Sequence, residues 1–380
     1  MTFQRHYLDW NATAPLRPEA RAAMVEALDL VGNPSSVHAE GRRARRIVED
    51  AREKVARLVG AKPAEVVFTS GATEANNWVV GRTWDRVVFS RLEHPSVVAP
   101  ALACRGDTVE IGATRYGSID VGALAAWLEN DHERLQRAPG RTLLALQAAN
   151  NETGIVQPLA AAAALAAAHG VLVHSDAVQA VGRLPIDFAR SNLSFLSISG
   201  HKLGAPKGIG ALIVRSGAPL PPRIIGGGQE RGMRAGTENV AAIAGFGAAA
   251  AAASGEIGYF ASLGGLRDRL EDAVVQATPE AVVIGHGAER LANTACLALP
   301  GRMAETLVAA FDLTGIAVSA GAACSSGKVQ ASPVLAAMGL APEITGGAIR
   351  ISIGPATTVE DIDAFVTAWT RITRRAAQAA

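Results

Sequence analysis

Six short runs of apolar and β-branched residues, at 65–69, 86–90, 142–147, 172–175, 195–199 and 211–214, alternate with stretches of helical period. Each run is too short for a helix and carries almost no polar alternation, so it reads as a strand covered on both faces. The stretches between include a helix over 42–59 with a charged face and one over 160–169 that Gly170 closes as a C-terminal cap. Strand and helix in alternation require an α/β domain built on a mainly parallel sheet, with ligands at the carboxyl ends of its strands. Beyond an Ala-rich helix over 240–253 the pattern changes. A helix over 263–277, strands at 281–284, 293–299, 316–319 and 348–352, and a closing helix over 359–374 predict a smaller α+β domain. The expected division is a large domain over 16–255 and a small one from 1–15 and 256–380. The polar stretch 130–141 reads as a surface loop.

Composition narrows the function classes. A chain of 380 residues that is 49% hydrophobic buries a large core, and 36 Lys and Arg against 35 Asp and Glu supply no global pull toward nucleic acid or an anionic membrane. Arg5, His6 and Asp9 make the N-terminus too polar for a secretory signal, so a cytoplasmic protein is expected. The runs 159–168 and 240–253 are too short and too Ala-rich to span a bilayer and read as packed helices. Cys104, Cys296 and Cys324 form no Cys-x-x-Cys pair, and eight histidines contain no His-Glu-x-x-His, so no metal site is expected.

Several strand ends carry residues suited to chemistry. In Phe68-Thr-Ser-Gly-Ala-Thr-Glu-Ala-Asn-Asn77 a strand turns through glycine into a helix, whose free N–H groups and positive dipole end suit an anion, with the Thr73 hydroxyl as a further donor; taken alone, such a feature is more often a tight turn with a helix cap. Asp176 closes one strand in Val173-His-Ser-Asp-Ala-Val-Gln179, and Lys202 follows another in Ser197-Ile-Ser-Gly-His-Lys202. A lysine that forms a Schiff base and a carboxylate beside a protonated pyridine nitrogen are the two parts of one kind of site, and the spacing with Gln179 and His201 favours that over a surface lysine and a helix cap. His94, before Pro95, could lie against a planar group and shuttle protons, or be a loop histidine. Asn151 could bond a ring substituent or substrate, or belong to an Asn-rich turn. The segment Gly226-Gly-Gly-Gln-Glu-Arg-Gly-Met-Arg-Ala-Gly-Thr237 is glycine-dense and basic, suited to an anion. Cys324, in Ala320-Gly-Ala-Ala-Cys-Ser-Ser-Gly-Lys328, has small neighbours that offer no core, which favours a reactive thiol, whereas Cys104 and Cys296 read as buried apolar residues. Arg350 projects from a strand where a guanidinium could grip a carboxylate or make a strand-end salt bridge.

With Tyr7-Leu-Asp-Trp-Asn-Ala-Thr-Ala-Pro15 and Gly32-Asn-Pro-Ser-Ser-Val-His38 at the start, these motifs in this order resemble the cysteine desulfurases of the class V aminotransferase family over essentially the whole chain. The resemblance implies a fold type I pyridoxal-5′-phosphate transferase with a seven-stranded-type sheet. It implies that Lys202 holds the cofactor, Asp176 pairs with its pyridine nitrogen, His94 stacks on its ring, and Gln179 and Asn151 contact the ring oxygen or substrate. Ala72, Thr73, Ser199 and His201 would bind the phosphate, with Thr237 contributed across a homodimer interface. Arg350 would take the carboxylate of L-cysteine, and Cys324 the sulfur as a persulfide, leaving alanine.

The loop 320–332 has the longer form of the housekeeping and nitrogen-fixation enzymes. Here Ser319-Ala-Gly-Ala-Ala-Cys324 stands where the family carries Ser-Ser-Gly-Ser-Ala-Cys, removing hydroxyls but keeping the thiol and its glycine. The short stretch after residue 374 lacks the tail with which housekeeping members dock an iron–sulfur scaffold, so the resemblance leaves open whether the acceptor is such a scaffold or a sulfurtransferase. Rival readings are a selenocysteine lyase, another aminotransferase of this class, and a non-catalytic sulfur-trafficking subunit. Intact Lys202, Asp176, His94 and Cys324 weigh against the last.

Overall fold

The structure, a computed structural model, describes residues 5–321 and 332–378. In chain order its strands are β1 (His6–Tyr7), β2 (Val66–Thr69), β3 (Arg86–Phe89), β4 (Asp107–Glu110), β5 (Thr142–Ala145), β6 (Leu172–Asp176), β7 (Phe195–Ser199), β8 (Gly210–Val214), β9 (Val282–Val283), β10 (Thr294–Ala298), β11 (Ile316–Ala317), β12 (Ser319–Ala320) and β13 (Ala348–Ser352). A seven-stranded sheet runs β2-β8-β7-β6-β5-β3-β4. Its pairs from β7 to β4 are all parallel, and β8 lies antiparallel to both β7 and β2. This reversal brings Gly210 alongside Thr69 and Ser199, so the start of β8 sits among the carboxyl ends of its neighbours.

Helices cover both faces, and every residue of β2, β3, β5 and β7 is buried. On one face α1 (Pro18–Leu28) and α2 (Ala39–Leu58) pack with the long helix Val240–Ser262, where Val48 and Val55 meet Ile243, Phe246 and Ala250. On the other, α3 (Ala72–Val80) and α4 (Pro95–Leu102) bury Trp78, Val79 and Val97 over β2, β3 and β5. A four-stranded sheet, β12-β13-β10-β9, has its own core, with the rings of Phe311 and Phe365 stacked at 4.8 Å beside Trp369 and with Leu8 included.

Four expectations need correcting. The stretch 130–141 holds a helix, His132–Arg137, because Leu135 is buried in the main core. Edge strand β4 was not anticipated: an edge tolerates the charged sequence Asp107-Thr-Val-Glu110, which hides the strand pattern. The run 316–319 is two strands: β11 pairs with β1, while β12 pairs with β13. The helix expected over 240–253 extends to Ser262, and the run 240–277 is by length and composition alone long and apolar enough to cross a membrane. Its apolar residues include Ile243, Phe246, Ala249 and Ala250, which are core residues here.

Candidate active site

The carboxyl ends of β2, β3, β5, β6 and β7 open on a cavity of about 670 Å³. Its wall includes Ala72, Thr73, His94, Asn151, Asp176, Gln179, Ser199, His201, Lys202 and Arg350, so all these predicted residues converge. Thr237 does not join them: it lines a neighbouring cavity of about 170 Å³ with Thr69, Ser70 and Gly208. Cys324 lies outside the described residues; before it, Gly321 lines the main cavity.

Each side chain is set by its strand. Asp176 ends β6, accepting from the Val178 N–H at 3.0 Å and from Asn76 Nδ2 at 2.7 Å. Lys202 follows β7 in a single 3-10 turn, and its Nζ donates to the carbonyls of Asn11 and Ala12. His94 follows β3 and caps α4, its Nδ1 accepting from the Ser96 N–H at 3.1 Å. Arg350, in the middle of β13, donates from Nη1 to the Asn151 carbonyl at 2.9 Å and from Nη2 to Asp9 Oδ1 at 2.7 Å.

Asn11 ties these parts together. Its N–H donates to Ser352 Oγ, its amide to Thr294 Oγ1, and its Oδ1 accepts from Asn293 and Arg183. Gln179 donates to the Asn11 carbonyl at 3.2 Å and accepts from Arg183 at 2.6 Å. Sequence reasoning quoted Asn11 and Asp9 in a motif without giving them roles, and did not single out Ser96, Gln147 or Arg183. Apart from Ser96, which sits beside His94, these residues act on other protein groups across long sequence separations, which no local pattern signals.

The electrostatics suit an anionic ligand. Lys202, Lys207 and Arg350 line the cavity, with Arg183 directly behind. Burial, reinforced by Arg350, lowers the Arg183 guanidinium to about 9. Burial, reinforced by Lys202 and Lys207, lowers His201 to about 4, so it is neutral near pH 7. At the anion end, Gly71 opens α3 at φ +156°, where a Cβ would meet nothing within 4 Å, and Gly208 is equally open. Gly210 is the opposite case, since a Cβ there would stand 2.8 Å from the Gly71 Cα and 2.6 Å from the Ile198 carbonyl oxygen. The result is an open cradle at a helix N-terminus, held by two glycines in contact.

Residues 6–365 match the sequence profile of the family described as Aminotransferase class-V. The chain is 41% identical to a cysteine desulfurase of Cereibacter sphaeroides, over 95% of this chain and 93% of that one. It is 38% identical to an IscS-like cysteine desulfurase of Mycobacterium tuberculosis, over 98% of each. Among solved structures, a NifS-like protein from Rickettsia africae superposes with a TM-score of 0.89 at 33% identity, covering 98% of this chain and 100% of that chain.

Proposed function

This chain belongs to the class-V aminotransferase family, and from that premise we propose that its cavity binds pyridoxal 5′-phosphate and takes the sulfur from L-cysteine. The activity is that of a cysteine desulfurase, with alanine as the other product. The observation that carries this reading is the convergence of Lys202, Asp176, His94 and Arg350 on one cavity that also contains an anion cradle.

The donor set fits the cofactor. Lys202 would carry its aldehyde carbon, Asp176 would face its pyridine nitrogen, and the N–H groups of Ala72 and Thr73 with Ser199 and His201 would hold its phosphate. Gln179 and Asn151 would address the ring oxygen or the substrate. When bound, the group supplies an electron sink for charge developing at the substrate Cα. Arg350 binds the substrate carboxylate, anchored from behind by Asp9 and the Asn151 carbonyl. The Lys202 amine moves the proton at Cα, and the Asn11 and Ala12 carbonyls hold Nζ at the cavity wall. Cys324, assigned from its sequence setting, receives the sulfur as a persulfide and passes it to an acceptor protein, either an iron–sulfur scaffold or a sulfurtransferase.

The working unit in this reading is a homodimer. Thr237 belongs to the partner's phosphate site, which agrees with its absence from the main cavity of its own chain. Exposed Leu28, Val31, Val37 and Ile225 supply apolar surface for such an interface.

The test is the absorbance spectrum of the purified protein, followed by alanine and sulfide release on adding L-cysteine, in wild type and Cys324→Ala. A yellow wild type that yields both products beside a yellow, silent variant supports the assignment. Sulfide release by Cys324→Ala at the normal rate would remove that thiol from the reaction, and a colourless wild type would remove the cofactor.

A further inference from the structure

His94 reaches the cavity wall through a short chain of buried groups that bears on what it can do there. Asn76 on α3 is fully buried and its Nδ2 has two partners, Asp176 Oδ2 at 2.7 Å and Ser96 Oγ at 2.9 Å. A carboxylate only accepts, so the amide nitrogen must be the end turned toward Asp176. Its second N–H then goes to Ser96 Oγ, which makes that oxygen an acceptor and leaves the hydroxyl proton for another group. That group is His94 Nδ1, 2.7 Å away. The same Nδ1 also accepts the Ser96 backbone N–H at 3.1 Å. A ring nitrogen with two donors aimed at it carries no proton of its own.

We infer that Asn76, acting through Ser96, is a positioning residue that sets His94 as the tautomer protonated on Nε2, so that His94 meets the cofactor and substrate as a hydrogen-bond donor. Its one basic nitrogen, Nδ1, is turned away into the start of α4. A proton shuttle at His94, the role its sequence setting suggested, would have to displace both donors from Nδ1. The charged groups acting on the ring are Asp176 at the end of β6 and Lys202 after β7; α3 brings the uncharged Thr73, Asn76 and Asn77 to it, and Glu74 of α3, which lines the same cavity, is paired with Arg234. Burial, opposed by Asp176 and reinforced by Lys202, holds the imidazole below its ordinary value, in keeping with a neutral ring. Because Asn76 also donates to Asp176, one amide orients both the group expected at the pyridine nitrogen and the group expected on the ring face. This inference rests on the reading of the cavity as the cofactor site.

The experiment is ¹⁵N NMR of histidine-labelled protein, with and without pyridoxal phosphate, the His94 signals being identified by their loss in His94→Gln. Wild type is expected to show an acceptor-type Nδ1 and a protonated Nε2 from pH 6 to 8 in both forms. Ser96→Ala removes one of the two donors. It should bring His94 titration up toward the ordinary histidine range and lower kcat/KM about tenfold, the effect of one hydrogen bond. Asn76→Leu should shift the titration in the same direction, and Ser96→Thr, which keeps the hydroxyl, should restore the wild-type spectrum. A protonated Nδ1 in wild type, or a His94 titration unchanged in both Ser96→Ala and Asn76→Leu, would overturn the inference. The spectrum of the cofactor-free protein reports the tautomer without turnover, so failure here and failure of the desulfurase reading are separate results.

Discussion

Arg350 and Asp9 meet at 2.7 Å, Nη2 to Oδ1, while the other Asp9 oxygen accepts from Ser319 Oγ at 2.9 Å. The guanidinium that lines the cavity is therefore aimed by a residue from the N-terminal segment, next to the start of β12. Losing the charge of Asp9 frees the guanidinium to turn without removing it. Asp9→Asn should raise KM for L-cysteine about tenfold and change kcat less than about threefold, the scale of one charge-assisted hydrogen bond. Steady-state alanine formation measures both constants, and a fall in kcat at unchanged KM would contradict the assignment.

The contact between Gly210 and Gly71 leaves no room for a methyl group. Gly210→Ala should push the turn before α3 outward and weaken cofactor binding by about tenfold or more, with the seven-stranded sheet intact. Cofactor titration followed by absorbance, alongside far-UV circular dichroism, separates this from unfolding. Wild-type affinity in the variant would mean that the cradle does not hold the phosphate.

Glu152 is buried, accepts from Ser332 Oγ at 2.5 Å, and would touch a Cβ at position 321. Burial, opposed by Ser332 and Arg350, pushes its carboxyl up to about 7. The unfolded chain ionises this group near pH 4.5, so between about pH 4.5 and 7 the folded state holds a proton that the unfolded state has lost. Stability from this group is complete below that window and declines as pH rises through it. Glu152→Gln removes the decline. Relative to wild type it should be more stable at pH 8 than at pH 5 by on the order of 2 kcal/mol. Urea unfolding at the two pH values gives the difference, and an equal offset at both would refute it.

Glu230 takes a bidentate ion pair from Arg52 and the Phe68 N–H, with both side chains buried. It sits at φ 47° beside Arg231 at φ 56°, conformations that cost energy in residues with side chains. Glu230→Ala leaves a buried guanidinium with, among the described residues, Glu49 as its remaining ion partner and should cost about 3 kcal/mol. Pairing it with Arg52→Leu should cost less than the single change, because no unpaired charge remains. Denaturant midpoints for the two variants decide this.

Legibility followed physical setting. Strands β3, β5 and β7 are buried along their whole length, and that burial shows in the sequence as short, mainly apolar and β-branched runs. Strand β4 escapes the pattern because an edge needs no apolar face, and the helix His132–Arg137 escapes because Leu135 alone anchors it. In the site, Asp176, His94 and Lys202 stood out because each directly follows or ends a strand. Asn76 and Ser96 did not, although Asn76 lies inside a quoted motif and Ser96 two residues after His94. Their importance is a hydrogen bond across 20 residues, and Asn76 reaches Asp176 across 100. Thr237 was named correctly as a site candidate only if a second chain completes the cavity, a relation that one sequence expresses nowhere.

Asn11 imposes an order on how the site comes into being. Its backbone N–H waits for Ser352, made 341 residues later, and its side chain for Asn293, made 282 residues later. On the ribosome the seven-stranded sheet is complete once Val214 has emerged, and Gln179 and Arg183 can by then hold one side of Asn11, yet its other partners, Asn293, Thr294 and Ser352, come only with β10 and β13. The full set of bonds that fixes the Asn11 carbonyl beside Lys202 is thus tied to completion of the second sheet. A chain cut short within the second sheet can carry Lys202, Asp176 and His94 in place while Asn11, on which the lysine leans, is held from one side only.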